Sequence, residues 1–140
     1  MRRKRLLWIV AVALITAWVT GCGAGGEVVL TVSGAVEDEL SLTMKDLEDM
    51  GAEEVTVEHP RDGEQMYEGV RIGKILDEAG PTGDTVTFTA SDDYSVDIAL
   101  SDLEACNDCL VAFDDEGLRL AMSGMEGKFW VKDVVKVEVQ

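Results

Sequence analysis

Basic charge, histidine and cysteine are all scarce in this chain, and each shortage removes a class of function. Across 140 residues there are 12 Lys+Arg against 28 Asp+Glu, a single histidine and three cysteines. A surface this acidic repels phosphate backbones and anionic headgroups, which excludes nucleic-acid binding and leaves no basic patch to hold the protein on a membrane. One histidine and three cysteines, with no second cysteine pair, do not complete a closed zinc site. The apolar run at 6–19, about 14 residues long, falls short of the roughly 20 that span a hydrocarbon core. Internal repeats and low-complexity stretches are absent as well.

What is present at the N-terminus is ordered like a secretion leader. Arg2, Arg3, Lys4 and Arg5 form a positive region, the apolar run follows, and small residues lead into Val19-Thr20-Gly21-Cys22. This arrangement resembles bacterial lipoprotein leaders. The resemblance implies that residues 1–21 are removed, that Cys22 is acylated, and that the protein is held through that lipid at the cell membrane, facing outside the cytoplasm. A retained membrane helix is the alternative, and the length of the run argues against it. Cleavage removes four of the 12 basic residues and none of the 28 acidic ones, leaving eight against 28 and a formal charge of −20. Solvation is the plain reading of that charge, with an acidic partner-binding or cation-binding face, or adaptation to high salt, as alternatives. Residues 22–27 carry the lipidated cysteine and a glycine-rich tether that reaches at most roughly 14 Å. Residues 28–140 suit one domain.

Within that domain short strands alternate with short helices, which predicts an α+β fold with mixed or antiparallel sheets. Val28–Val32 reads as a strand stopped by Ser33-Gly34. Thr43 reads as the N-cap of a short helix that ends at Gly51, with Asp46 completing a capping box. Glu54–Glu58 reads as the next strand. Ile72, Ile75, Leu76 and Ala79 fall at i, i+3, i+4 and i+7, and Gly80-Pro81 ends the helix they mark. The period then switches to two: Val86, Phe88 and Ala90, then Val96, Ile98 and Leu100, form the best-marked hairpin, joined by Ser91-Asp92-Asp93-Tyr94. Ser101-Asp102-Leu103-Glu104 predicts a capped short helix, Leu110–Phe113 and Leu118–Leu120 a second hairpin, and Val135, Val137 and Val139 the inward face of a closing strand.

Several of these segments, in order, resemble the molybdopterin-binding domain of sulfite-oxidase-like oxidoreductases. They are Val55-Thr56-Val57; Tyr67-Glu68-Gly69-Val70 running into Ile75-Leu76-Asp77-Glu78-Ala79-Gly80; Asp92-Asp93-Tyr94-Ser95; Leu110-Val111-Ala112-Phe113 with Glu116-Gly117; and Trp130-Val131-Lys132 before Val137-Glu138-Val139. The resemblance implies a domain that holds a pyranopterin cofactor whose molybdenum carries a cysteine thiolate. This chain departs from that pattern where it matters for chemistry. After the strand like Val55-Thr56-Val57, where catalytic members place the cysteine, it continues Glu58-His59-Pro60-Arg61. Imidazole is not equivalent to the soft thiolate such a site takes. The stretch before Trp130, rich in proline and arginine in the family, shrinks to residues 123–129.

These departures point to a non-catalytic accessory module whose cleft, near His59, Arg61, Tyr67, Tyr94 and Trp130, holds a small molecule or an envelope protein partner. No cofactor and no metal ligand is the expectation, with molybdopterin as the alternative and an altered-metal redox enzyme as the alternative function. Beyond Cys22 the arginines are Arg61, Arg71 and Arg119 only, few for an anionic cofactor. Lys128, Lys132 and Lys136 read as solvated lysines balancing acidic neighbours, and His59 as a surface or hydrogen-bonded structural histidine. Cys106 and Cys109 form an even pair outside the cytoplasm and read as a local disulfide, with inert thiols or a redox-active pair as alternatives. Their position at the end of a helix, away from its N-terminus, favours a staple. The acidic turns at Asp92-Asp93 and Asp114-Asp115-Glu116 lack the alternating ligand spacing of a calcium loop and read as turn chemistry.

Overall fold

Alternating burial dominates the computed structural model, which describes residues 26–140 as nine strands, three short helices and one 3-10 turn. Chain order is β1 (Val28–Gly34), β2 (Leu40–Thr43), α1 (Met44–Asp49), β3 (Glu53–His59), β4 (Gly63–Arg71), α2 (Ile72–Ala79), β5 (Thr85–Ala90), β6 (Ser95–Ala99), α3 (Leu100–Ala105), β7 (Cys109–Asp114), β8 (Gly117–Met122), the 3-10 turn Gly127–Phe129 and β9 (Val134–Val139). Two sheets result, one in the order β2-β1-β9-β5-β6 and one in the order β3-β4-β7-β8. Every pairing is antiparallel except β1 with β9, so the larger sheet is mixed and the fold is α+β.

One core takes side chains from both sheets. Leu30, Val32, Val86, Phe88, Ile98, Val137 and Val139 come from the five-stranded sheet, and Val57, Val70, Leu118 and Leu120 from the four-stranded one. Cys109, Leu110, Val111 and Ala112 are buried in succession, as expected for a central strand covered on both faces. The helix α2 lies against β4 and β7 with Ile72, Ile75, Leu76 and Ala79 all buried. It stops at Gly80, whose φ of 66° is the left-handed C-cap conformation that glycine adopts without steric cost.

The cap at Thr43 forms in full: its hydroxyl accepts from the Asp46 amide, and the Asp46 carboxylate accepts from the Thr43 amide. The cap on α3 does not form at Ser101. That helix begins two residues earlier than a Ser101 cap requires, at Leu100, whose amide donates to the Asp84 carbonyl, so Ser101 lies inside the first turn and Ala99 is an N-cap without a side-chain bond. The closing strand also differs. Val135 faces outward, because a register shift between Thr89 and Ala90 leaves Val134 buried in its place. A strand not marked by alternation appears at β4, which pairs with β3 from Glu53↔Gly69 to His59↔Gly63 and makes residues 60–62 a hairpin turn.

Candidate functional site

The β3–β4 turn and the 3-10 turn face one another, and the side chains between them form a cleft of about 720 Å³. His59, Arg61, Tyr67, Arg119, Lys128, Trp130 and Lys132 line it, with Asp62 and Glu126 as its carboxylates. Trp130 is the centre of the wall. Its ring is buried, it meets the His59 ring edge-on at 4.6 Å between centroids, and it lies 6.1 Å from the ring of Tyr67. The indole N–H donates to the Met125 carbonyl at 3.3 Å, which satisfies its one polar group and fixes its orientation.

His59 holds the hairpin turn together. Its Nδ1 accepts the backbone N–H groups of Arg61 and Asp62, each at 3.2 Å, which places the ring proton on Nε2 in this geometry. The same Nδ1 stands 3.2 Å from an Asp62 carboxylate oxygen, an approach that becomes an ion pair only when the imidazole is protonated. Glu58, the preceding residue, donates its backbone N–H to the Ser123 hydroxyl, tying the turn to the segment that leads to Trp130.

The cations are distributed unevenly. Of the eight basic residues beyond Cys22, four line this cleft: Arg61, Arg119, Lys128 and Lys132. The other four sit elsewhere, each beside a carboxylate: Lys45 with Asp49, Arg71 with Glu53 and Asp108, Lys74 with Glu53, and Lys136 with Glu138. Within the cleft Lys128 pairs with Glu126 at 3.6 Å and Arg119 with Asp114 at 3.4 Å, while Arg61 and Lys132 have no ion-pair partner among the described residues. The Arg119 guanidinium lies over the Tyr67 ring, 5.5 Å from its centroid, and its Nε is buried without an acceptor.

Four of the five side chains singled out in the sequence, His59, Arg61, Tyr67 and Trp130, therefore share one cleft. Tyr94 borders an adjoining groove on the far side of Lys128, where its hydroxyl donates to the Lys128 carbonyl and holds the 3-10 turn. Arg119, Lys128 and Lys132 were missed as site residues. Lys128 and Lys136 stand beside acidic neighbours, Glu126 and Glu138, as the sequence suggests, and Lys128 and Lys132 in addition line the cleft, while Lys136 lies away from it, on β9. No sequence signal marks Arg119, which meets Lys132 only through an isolated bridge that the fold creates.

Cys106 and Cys109 are bonded to one another, with Cα atoms 5.6 Å apart. Cys106 caps the end of α3 and borders a separate groove, while Cys109 is buried at the start of β7. Arg71 clamps the intervening loop through the Asn107 carbonyl and the Asp108 carboxylate, and its guanidinium is held above its usual pKa chiefly by the bond to Glu53. Among the described residues no group of three His, Cys, Asp or Glu side chains gathers as a metal site. The acidic turns serve the backbone: Asp92 accepts from the Tyr94 amide and Asp114 from the Asp115 amide. Cys22 lies outside the described residues, and no described helix is long and apolar enough to cross a membrane.

Comparison with known proteins adds two findings. A family model described as the oxidoreductase molybdopterin binding domain matches residues 25–140. Among solved structures, the sulfane dehydrogenase SoxCD from Paracoccus pantotrophus is similar in fold, with a TM-score of 0.59 and 22% identity over 79% of this chain and 37% of that one. This chain thus spans well under half the length of that protein. No curated protein matches the chain in sequence.

Proposed function

The chain belongs to the oxidoreductase molybdopterin-binding domain family, and from that premise we propose that it is a lipid-anchored extracytoplasmic binding module that holds a small-molecule ligand or an envelope protein partner in the His59–Trp130 cleft. The observation that carries this reading is the division of the cleft's chemistry into two halves. The residues present fit the organic, anionic part of a pterin cofactor: Trp130 and Tyr67 offer aromatic walls, four basic side chains offer charge, and the Arg119 Nε is a buried donor without an acceptor. They do not fit a metal held by protein sulfur. At the hairpin where relatives supply a thiolate the chain has His59, whose Nδ1 is already engaged by two backbone N–H groups, and both described cysteines are consumed by their mutual bond. The module therefore binds without a thiolate-ligated molybdenum step.

A redox enzyme with an altered metal shell is the second reading, favoured by the same cationic lining, which suits a cofactor phosphate. Protein purified from its native host separates the two. Metal analysis that finds molybdenum far below one per chain, with or without pterin fluorescence in the extract, is the expected result. Molybdenum near one per chain replaces the first reading by the second. Anchoring is tested separately: Cys22→Ala moves the protein from the membrane to the soluble extracytoplasmic fraction, and a variant still in the membrane overturns the lipid anchor.

A further inference from the structure

At one end of the five-stranded sheet β2 (Leu40–Thr43) pairs with β1 on one side only. The Thr43 amide is turned away from β1 to the Asp46 carboxylate, and by the two-residue alternation of an antiparallel ladder the N–H and C=O of Ser41 face that same open side. Ser41 is exposed, and Leu40-Ser41-Leu42-Thr43 carries neither the lysine nor the proline that blunts a sheet edge. Beside this edge opens a groove of about 610 Å³. Val28, Leu40, Leu42 and Met50 give it an apolar lining, and Val28 is one of the large apolar side chains left exposed, at 47%. Its charged residues are Glu39, Asp46, Asp49 and Glu78, and no lysine or arginine lines it among the described residues. Asp46 is engaged by the Thr43 cap and Asp49 by Lys45, whereas Glu39 and Glu78 have no ion-pair partner among the described residues. The groove is therefore opposite in charge to the His59–Trp130 cleft, and the two share no residue.

We propose that this edge docks an extended, basic and apolar segment of a protein partner, which adds to β2 as a further strand of the larger sheet. The Ser41 N–H and C=O supply the main-chain hydrogen bonds of the addition. Apolar side chains of the segment lie on the face of Leu40 and Leu42 beside Met50, and its lysines or arginines reach Glu39 and Glu78. Charge decides the occupant. Four carboxylates without a cation repel an acidic segment, and a purely apolar one would cover Glu39 and Glu78 without pairing them. A second copy of this chain is disfavoured for the same reason, since edge-to-edge pairing through β2 sets one groove's carboxylates against the other's. The proposal does not rest on what fills the His59–Trp130 cleft, so failure of either reading leaves the other intact.

Fluorescence anisotropy of a labelled, end-blocked peptide of alternating lysine and valine, titrated with the full chain in neutral detergent, tests this. Saturable binding at one site per chain is expected, with the Ser41 amide protected from hydrogen exchange in the complex. Ser41→Pro removes a donor that the ladder to β1 does not use, and is expected to weaken binding about tenfold. Glu39→Gln and Glu78→Gln are each expected to weaken it several-fold. Glu104→Gln, which alters an exposed carboxylate on α3 outside the groove, should leave it unchanged. Where Ser41→Pro fails to fold, the same peptide methylated at every backbone nitrogen keeps the test decisive: it retains its charges, loses its main-chain donors, and should bind about tenfold more weakly. Absence of saturable binding overturns the proposal. So does binding that neither backbone methylation nor Glu78→Gln alters, which marks general attraction to an acidic protein, and so does equal binding of a peptide alternating glutamate and valine.

Discussion

His59 meets Trp130 edge to face across the mouth of the cleft, with 4.6 Å between ring centroids and 72° between ring planes. One imidazole thereby does two jobs, packing on the indole and accepting both amides of the hairpin turn. His59→Ala removes the packing and leaves two backbone donors to water. We expect a loss of about 1–2 kcal/mol in urea unfolding, with the Trp130 emission shifted to the red as its edge is exposed. An unchanged stability and spectrum would show that the ring contact contributes nothing.

Gly69 sits where β4 passes closest to β7. A Cβ built there falls 2.2 Å from the Val111 carbonyl oxygen and 2.6 Å from the Ala112 Cα, both backbone atoms that cannot swing aside. Gly69→Ala therefore forces the two central strands of the smaller sheet apart and is expected to cost about 3 kcal/mol or more. Circular dichroism melts check this, and a variant melting like the parent refutes the close approach.

The disulfide closes a loop with a sequence separation of only three. Chain-entropy reasoning gives such a loop about 2 kcal/mol of stabilisation, at the low end for disulfides. The Cys106→Ser, Cys109→Ser double variant should fold, unfold at lower denaturant, and keep the cleft intact, since neither sulfur borders it. Loss of ligand or partner binding in that variant would couple the two sites.

Thr43 holds the Asp46 carboxyl below its ordinary pKa, first through its backbone N–H and then through its hydroxyl. A carboxyl depressed in the folded state stabilises it fully above the unfolded value of about 3.9 and loses that contribution as pH falls through the lower folded value. Asp46→Asn should therefore lower the melting temperature at pH 6, and the gap to the parent should shrink as pH falls below the unfolded value. A gap independent of pH would assign the effect to helix propensity.

Local signals were the legible ones. The stripe 72, 75, 76, 79, the cap at Thr43 and the β5–β6 hairpin each lie within one stretch of chain, so spacing alone reveals them. β4 was not legible, because Gly63-Glu64-Gln65-Met66 is exposed and lacks an apolar alternation, and its strand character comes from pairing with β3. Lys128, Lys132 and Lys136 stand on a 3-10 turn, a loop bridge and a strand, so their four-residue spacing carries no helical meaning. The aromatic wall was legible through the family segments, whereas the cationic half was not, since Arg119 and Lys132 meet only by a bridge between β8 and the loop before β9.

The parallel partnership of β1 with β9 has a consequence for how the polypeptide matures. The last strand occupies the middle of the five-stranded sheet, between the first strand and β5. A chain threaded through a pore from its N-terminus cannot assemble that sheet until Val139 has emerged. The β1–β2 and β5–β6 ribbons share no sheet without the final six-residue strand, so the larger sheet is the part of the fold completed last as the chain is supplied from its N-terminus.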